Sequence, residues 1–570
     1  MKKLAVTMLA MAAAPLFAAT TRYVVPAGTE GNTPASPYTS WETAANDLAS
    51  AIDAAAALDT ILVAPGTYSI GSTLDIDSPS GHSRNFLKIE SRNRETGEQD
   101  REHTILDGGG TTSIMIVKAQ AVTIAGFTFA NGYAEAETVS AAPSASAALY
   151  FYGDQIGTLG RGMVSNCLFR ANRSINVNGT CICKRNTIDA TIDAPIVADC
   201  SFLNNTQEVT VAGQSVKGSA IYMYVTSSAT EEQYGLIKGC TFSGNSGKGP
   251  YAEGSLLNIP NGRMVVDGCN FYTNSFEQTD SAANTIGAYM RFVGGNVTLK
   301  NSIISCTGYN NAVGKYLYGT VMHTGENFTC SNCTFRAIEE ESGSCMYGTI
   351  CVGESNRFLD CRFIDNTLCA QALFFINKKG GELFRNCLFA GNSRSSSSRI
   401  FMTYGATYAG ATRFTVENCT FADNSDGIAP IQLALGGTAY TCNLVNSVFT
   451  TDKILYAVAE NASVLASNCC FKAAIPANIT DGGGNIAVAS VDAMKFADAA
   501  NGDYRLAVNS PLRDNGVKLD WMTAEATDLD GSPRVISRYG IPLSADASAL
   551  PDIGCYECRI PVPGFKIIVR

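Results

Sequence analysis

Histidine and tryptophan are nearly absent from this chain, and charge is sparse. There are three His and two Trp in 570 residues, and 16 % of positions are Asp, Glu, Lys or Arg. His is the commonest general base and metal ligand. None of His82, His103 and His323 stands in a catalytic-looking phrase. After residue 17 no run is long and apolar enough to cross a bilayer, which takes roughly 20 residues. Basic charge is outnumbered, 41 Lys and Arg against 51 Asp and Glu, for a net charge of −10. That argues against nucleic acid or an anionic membrane as partner and leaves polysaccharide open.

What the chain has instead is one short phrase, repeated. It reads apolar, any residue, Asn, Cys, any residue, Phe, two residues, Asn. The clearest copy runs from Val416 to Asn424, and others centre on Cys167, Cys200, Cys240, Cys269, Cys333, Cys361 and Cys387. Decayed copies centre on Ser302, Ser447 and Cys469. Steps between copies range from 22 to 40 residues, which is the period of a solenoid.

Cys-x-Phe alternation puts both side chains on one face of a strand. Asn before Cys suits a one-residue left-handed bend, and Asn three after Phe suits the next corner. Strand, bend, strand, corner, with no helical period between, describes one coil of a right-handed parallel β-helix. Roughly 13 coils, stacked at about 4.8 Å, make a rod on the order of 60 Å long. Two residues before the Cys position stand Lys238, Asp267 and Lys300 in consecutive copies, then Arg385 and Glu417. Stacked outward, these are ladders of alternating charge.

Twenty cysteines in an exported chain normally suggest disulfides. Nine of them occupy the repeated inward position, where stacked Cβ atoms are too far apart to bridge. They read as reduced thiols filling a core. The off-ladder set (Cys181, Cys183, Cys306, Cys330, Cys345, Cys351, Cys369, Cys442, Cys555, Cys558) is freer to pair. Cys330/Cys333 and Cys555/Cys558 have C-x-x-C spacing without nearby His, so no metal site is expected.

Residues 1–19 read as a signal peptide: Lys2 and Lys3, the apolar run Leu4 to Phe17, then small residues. Residues 20–58 hold a first strand at Tyr23 to Val25 and an Ala-rich helix from Trp41 to Leu58, placed to cover the open end of the first coil. The β-helix proper is 59–500. It opens on Asp59-Thr60-Ile61-Leu62-Val63 and the Pro65-Gly66-Thr67-Tyr68 turn. This order resembles the N-terminal part of many bacterial right-handed β-helix proteins. The C-x-F-x-x-N copies resemble the repeats of chlamydial-type polymorphic outer membrane proteins. Their companion G-G-A-I motif is decayed here to Lys217-Gly218-Ser219-Ala220-Ile221 and Gly254-Ser255-Leu256-Leu257. Residues 501–570 change texture. Asn509-Ser510-Pro511-Leu512, Asp528 to Arg534 and Asp552-Ile553-Gly554-Cys555 resemble a choice-of-anchor Q type C-terminal module. These resemblances imply an exported chain at the cell surface or outside the cell, with no transmembrane span.

Enzymes are the rival reading of this fold, and fold alone does not carry function. The N-T-D, D-D, G-H-G and R-I-K set of polygalacturonase-like enzymes is missing. A calcium-dependent lyase needs stacked carboxylates beside a basic residue, so Ca²⁺ enters only with that reading. The densest acidic run, Glu339 to Glu341, reads as a solvated loop. A binding face is suggested by aromatics and one Arg on the intervening strands: Tyr222, Tyr224, Tyr289, Arg291, Tyr316 and Tyr318. Facing outward, they form a stripe suited to sugar rings or a protein partner. The sequence therefore supports an exported, non-catalytic adhesin-like or glycan-binding protein. The alternatives are a polysaccharide lyase or glycoside hydrolase acting on acidic polysaccharide, and a structural surface component. No catalytic residue, cofactor or oligomeric state is indicated.

Overall fold

The repeated phrase folds as a strand, a one-residue bend and a second strand. In the clearest copy Thr412–Glu417 and Thr420–Ala422 flank Asn418, whose φ is 50°. Asn166, Asn301, Asn332, Asn386, Asn446 and Asn468 take the same left-handed bend. Asn tolerates it because its short polar side chain bonds locally.

In the computed structural model these strands stack into long parallel sheets, and the fold is a parallel β-helix. The structure describes residues 19–77, 84–140, 145–152, 161–184, 195–225, 234–293, 296–305, 307–310, 316–340, 346–368, 371–376, 380–394, 399–403, 412–425, 428–433, 440–458, 462–534 and 550–558. Sheet A has 16 strands, from Thr21–Val24 to Thr480–Asp481, and sheet B has 15, from Gly66–Ser69 to Ile486–Val488. Sheet C has 14, from Leu74–Ile76 to Leu455–Val458. A nine-stranded sheet D lies between B and C in chain order, from Tyr133–Glu135 to Ser393–Arg394. Sheet A exceeds the expected 13 coils because rungs at both ends lack the Cys-x-Phe phrase. Sixteen rungs at about 4.8 Å give a rod of roughly 75 Å.

One continuous core runs from Val24 to Ile479. Register aligns like with like, so the phenylalanines stack. Phe129, Phe169, Phe202, Phe242 and Phe271 lie 4.9, 4.9, 4.8 and 4.8 Å apart in succession. The stack stops at Ile304 and resumes at Phe335, running through Phe363, Phe389, Phe421 and Phe449 to Phe471. Beside it the corner asparagines form a second ladder. Asn172, Asn205, Asn245 and Asn274 are buried, and each Nδ2 donates to the next Oδ1 at 2.9, 2.8 and 3.0 Å. The same Nδ2 groups also donate to the Phe carbonyl of the preceding coil. The ladder thus satisfies main-chain groups that a sharp corner would otherwise orphan.

The seventeen described cysteines are all buried, and Cys181, Cys183, Cys330, Cys442, Cys555 and Cys558 from the off-ladder set are free thiols. Cys306, Cys345 and Cys369 lie outside the described residues. The ladder thiols donate to main-chain carbonyls, as Cys387 does to Arg385 O at 3.2 Å. Burial pushes the Cys181 and Cys442 thiols well up, which disfavours the reactive thiolate.

The regular N-terminal helix is Leu48–Ala54, shorter than the Trp41–Leu58 expected. Asp47 caps its start, and Ala55 turns extended at its end. Leu48, Ala51 and Ile52 enter the core beside Val24 and Ile61. Asp59 closes the loop after it, accepting from Ala56 N and pairing with buried Arg22 at 2.8 Å.

The described residues beyond 490 pack along the outer face of sheet B. Tyr504, Leu529, Cys555 and Tyr556 cover Leu388, Ala390 and Ala422, while Met494, Leu506, Leu512 and Ile553 cover Val448 and Cys470. Fully buried Arg534 pins this segment, pairing with Glu557 at 2.7 Å and donating to Asn386 Oδ1 at 2.7 Å on sheet A's corner. No described helix is long and apolar enough to cross a membrane. Residues 1–18, with the signal-peptide run, lie outside the described residues.

Candidate polar site on the outer face of sheet C

The three-residue sheet C strands Leu149–Phe151, Ile221–Met223, Leu257–Ile259 and Met290–Phe292 present their outer residues to the core and their middle residue away from it. On consecutive rungs the middle residues are Tyr150, Cys183, Tyr222, Asn258, Arg291 and His323, in direct register. Four residues before Cys183, Tyr222, Asn258, Arg291 and His323 the chain passes through a left-handed glycine: Gly179, Gly218, Gly254, Gly287 and Gly319, with φ from 64° to 77°. A Cβ at Gly254 would lie 2.7 Å from Leu257 O and 2.9 Å from Arg291 N. Only glycine allows that fold-over. Gly218 and Gly254 are the glycines of the decayed G-G-A-I phrases, and Lys217 and Glu253, which precede them, lie beside the outward row.

Two ladders therefore run side by side, and they meet in a charged cluster. Glu253, before Gly254, accepts from Arg291 Nη1 at 2.6 Å and pairs with Lys217, before Gly218, at 3.0 Å. Asn258 Nδ2 donates to Glu253 O. Tyr222 is 6 % exposed beside this cluster; burial, then Cys183, Tyr224 and Glu253, push its phenol well up from its ordinary value. Asn261 Nδ2 donates to Tyr224 OH at 2.9 Å. The side chains of Lys217, Arg291 and Glu253 retain 28 %, 21 % and 18 % exposure, so solvent reaches the cluster. Within it, buried Arg291 Nε and Asn258 Oδ1 have no hydrogen-bond partner among the described residues.

The structure thus brings together three of the six residues singled out from sequence. Tyr222, Tyr224 and Arg291 belong to this cluster. Tyr289 sits in the core, 2 % exposed, because it precedes Met290 at the corner. Tyr318 packs against Cys351, Ala372, Phe375 and Met402. Tyr316 lies on strand Tyr316–Thr324, with its side chain outside the described set. The arrangement is a charged centre with flanking phenols, not an unbroken aromatic groove. Glu253 and Asn258 were not singled out. The signal for Glu253 was the position before the phrase glycine, where Lys217 and Glu253 are opposite charges on adjacent rungs.

The other sequence candidates are structural or dispersed. Lys238, Asp267 and Lys300 are in register on sheet A, and Lys300 pairs with Asp267 at 3.4 Å. Arg385 pairs with Glu417 at 2.9 Å. Glu339–Glu340 is a strand of sheet D, and Glu341 is outside the described residues. His103 pairs with Asp100 at an exposed position, and His82 is outside the described residues. Among the described residues no cluster of three or more His, Cys, Asp or Glu is placed to hold a metal.

No protein-family model matches the chain, and no curated relative does. Solved structures similar to it include the pectate lyase Pel9A, at 12 % identity over 95 % of this chain and 96 % of that one, with a TM-score of 0.24. The A-module of the mannuronan C-5 epimerase AlgE6 of Azotobacter vinelandii is 12 % identical, over 77 % and 94 % of the two chains, with a TM-score of 0.27. The catalytic unit of an α-1,3-glucanase from Streptomyces thermodiastaticus is 14 % identical, over 78 % and 65 %, with a TM-score of 0.25. The fold assignment rests on the sheet topology itself.

Proposed function

We propose that this is an exported glycan-binding protein that holds a repeating carbohydrate along the outer face of sheet C. The observation carrying the proposal is the cluster of Lys217, Glu253, Arg291 and Asn258, flanked by Tyr222 and Tyr224. It stands in rows whose members recur about every 4.8 Å along the rod. A ladder of polar groups at constant spacing suits a polymer better than a single small molecule. Sugar recognition also draws on hydrogen-bonding side chains next to phenol rings. Export and a surface location are supported by the Lys2, Lys3 and Leu4–Phe17 pattern.

Polysaccharide cleavage is the second reading. It is favoured by the partly exposed Glu253 carboxylate held between Lys217 and Arg291, since a carboxylate beside cations suits general acid–base work. One experiment addresses both. The purified mature protein is screened against neutral and acidic polysaccharides, with and without calcium, for binding and for released unsaturated or reducing ends. Retention that is lost in Arg291→Ala supports glycan binding at this face. Released ends establish an enzyme instead. Neither result leaves adhesion to a protein or a structural surface role.

A further inference from the structure

We infer that the ligand at this face carries carboxylates, and that the Glu253 side chain holds the place of a ligand carboxylate between Lys217 and Arg291. The inference rests on the glycan-binding reading and adds the chemical class of the sugar.

Two cations converge on one carboxylate. Both Arg291 Nη1 and Lys217 Nζ reach Glu253 Oε2, at 2.6 and 3.0 Å. The cluster therefore keeps one positive charge in a chain whose net charge is −10. Arg291 meets Glu253 through one arm only, whereas its planar fork suits a two-armed carboxylate contact. Its buried Nε donor has no partner among the described residues. On the adjacent rung, in register, the buried Asn258 Oδ1 is an acceptor without one. Buried polar atoms in native proteins are nearly always bonded. The missing partners are thus an acceptor at Arg291 and a donor at Asn258, one rung or about 4.8 Å apart.

An anionic group and a hydroxyl at that separation describe a uronic acid residue. Neutral sugars supply the hydroxyl and no anion. A ligand carboxylate entering here displaces Glu253 from Arg291 and leaves both cations neutralised, at the cost of an ion pair that is partly exposed and so worth little. Tyr222 stands in register one rung beyond Asn258, on the side away from Arg291.

The test compares polygalacturonate, its fully methyl-esterified form and a neutral dextran, by affinity electrophoresis and calorimetry at low and moderate salt. The variants are Glu253→Gln and Arg291→Lys, with circular dichroism to confirm folding. Polyuronate is expected to bind, its ester and dextran to bind at least about tenfold more weakly, and salt to weaken the complex. Glu253→Gln is expected to tighten polyuronate binding about threefold or more, because it removes the competing anion. Arg291→Lys is expected to weaken it, because the ammonium cannot present a fork.

Equal binding of ester and acid, or unchanged or weaker binding in Glu253→Gln, overturns the inference while the glycan-binding reading stands. Failure of the wild-type protein to bind any of the polysaccharides overturns the reading and the inference together. A sulfated glycan bound in preference to polyuronate overturns the carboxylate assignment.

Discussion

Asn205 is the sharpest test of how the coils are held. Its buried side chain serves four partners. Nδ2 donates to Phe169 O at 3.0 Å and to Asn245 Oδ1 at 2.8 Å. Oδ1 accepts from Asn172 N at 3.0 Å and Asn172 Nδ2 at 2.9 Å. In Asn205→Ala these four groups lose their partner at a site closed to solvent. One orphaned buried group costs about 1–3 kcal/mol. Neighbours that share a rearrangement do not add fully, so the expected loss is about 3–6 kcal/mol. Asn274 supplies the comparison, because it accepts from Asn245 twice and donates to Phe242 O at 3.0 Å, with no further ladder asparagine above it. Asn274→Ala should cost less, by roughly one hydrogen bond or about 1 kcal/mol. Urea titrations followed by circular dichroism measure both. A loss below 1 kcal/mol for Asn205→Ala, or equal losses at the two sites, would refute the ladder as the support of the corner.

Three further outcomes are expected. Asp267→Lys puts three like charges in register at Lys238, 267 and Lys300, and should lower Tm by the equivalent of roughly 0.5–2 kcal/mol; an unchanged Tm would mean the ladder is fully screened. Arg534→Met leaves Glu557 buried without its cation and should cost about 3–5 kcal/mol. Limited proteolysis should then release the segment after residue 490 while the coils persist, and simultaneous loss of both would show one cooperative unit. Glu382 is buried at an inward corner position, and burial raises its carboxyl to about 8. Its folded-state value lies above its unfolded one, so its contribution is present below pH 4.5 and is lost as pH rises through about 8. Glu382→Gln should therefore raise Tm more at pH 9 than at pH 5, and equal shifts at the two pH values would deny the burial effect.

The coil was legible because its signals are local. Cys-x-Phe shows a two-residue period, and Asn before Cys names a left-handed bend, whatever surrounds them. The charge ladder at Lys238, Asp267 and Lys300 followed from the same register by counting. Local sequence could not show which face of the third sheet would be covered. Tyr289 and Arg291 alternate like outward neighbours, but one faces the core and the other the surface, because Gly287 folds the chain over just before them. The helix likewise ended where Asp59 drew in Ala56, a contact with a residue outside the helical pattern. Nothing local marked Glu253 as the partner of Arg291, 38 residues away. Sequence alone determined the repeat, its bends and its stacked core, since each depends on neighbours within one phrase. The charged centre and the packing of the C-terminal segment were decided only in three dimensions. They depend on side chains from different coils meeting at a distance set by the stacking.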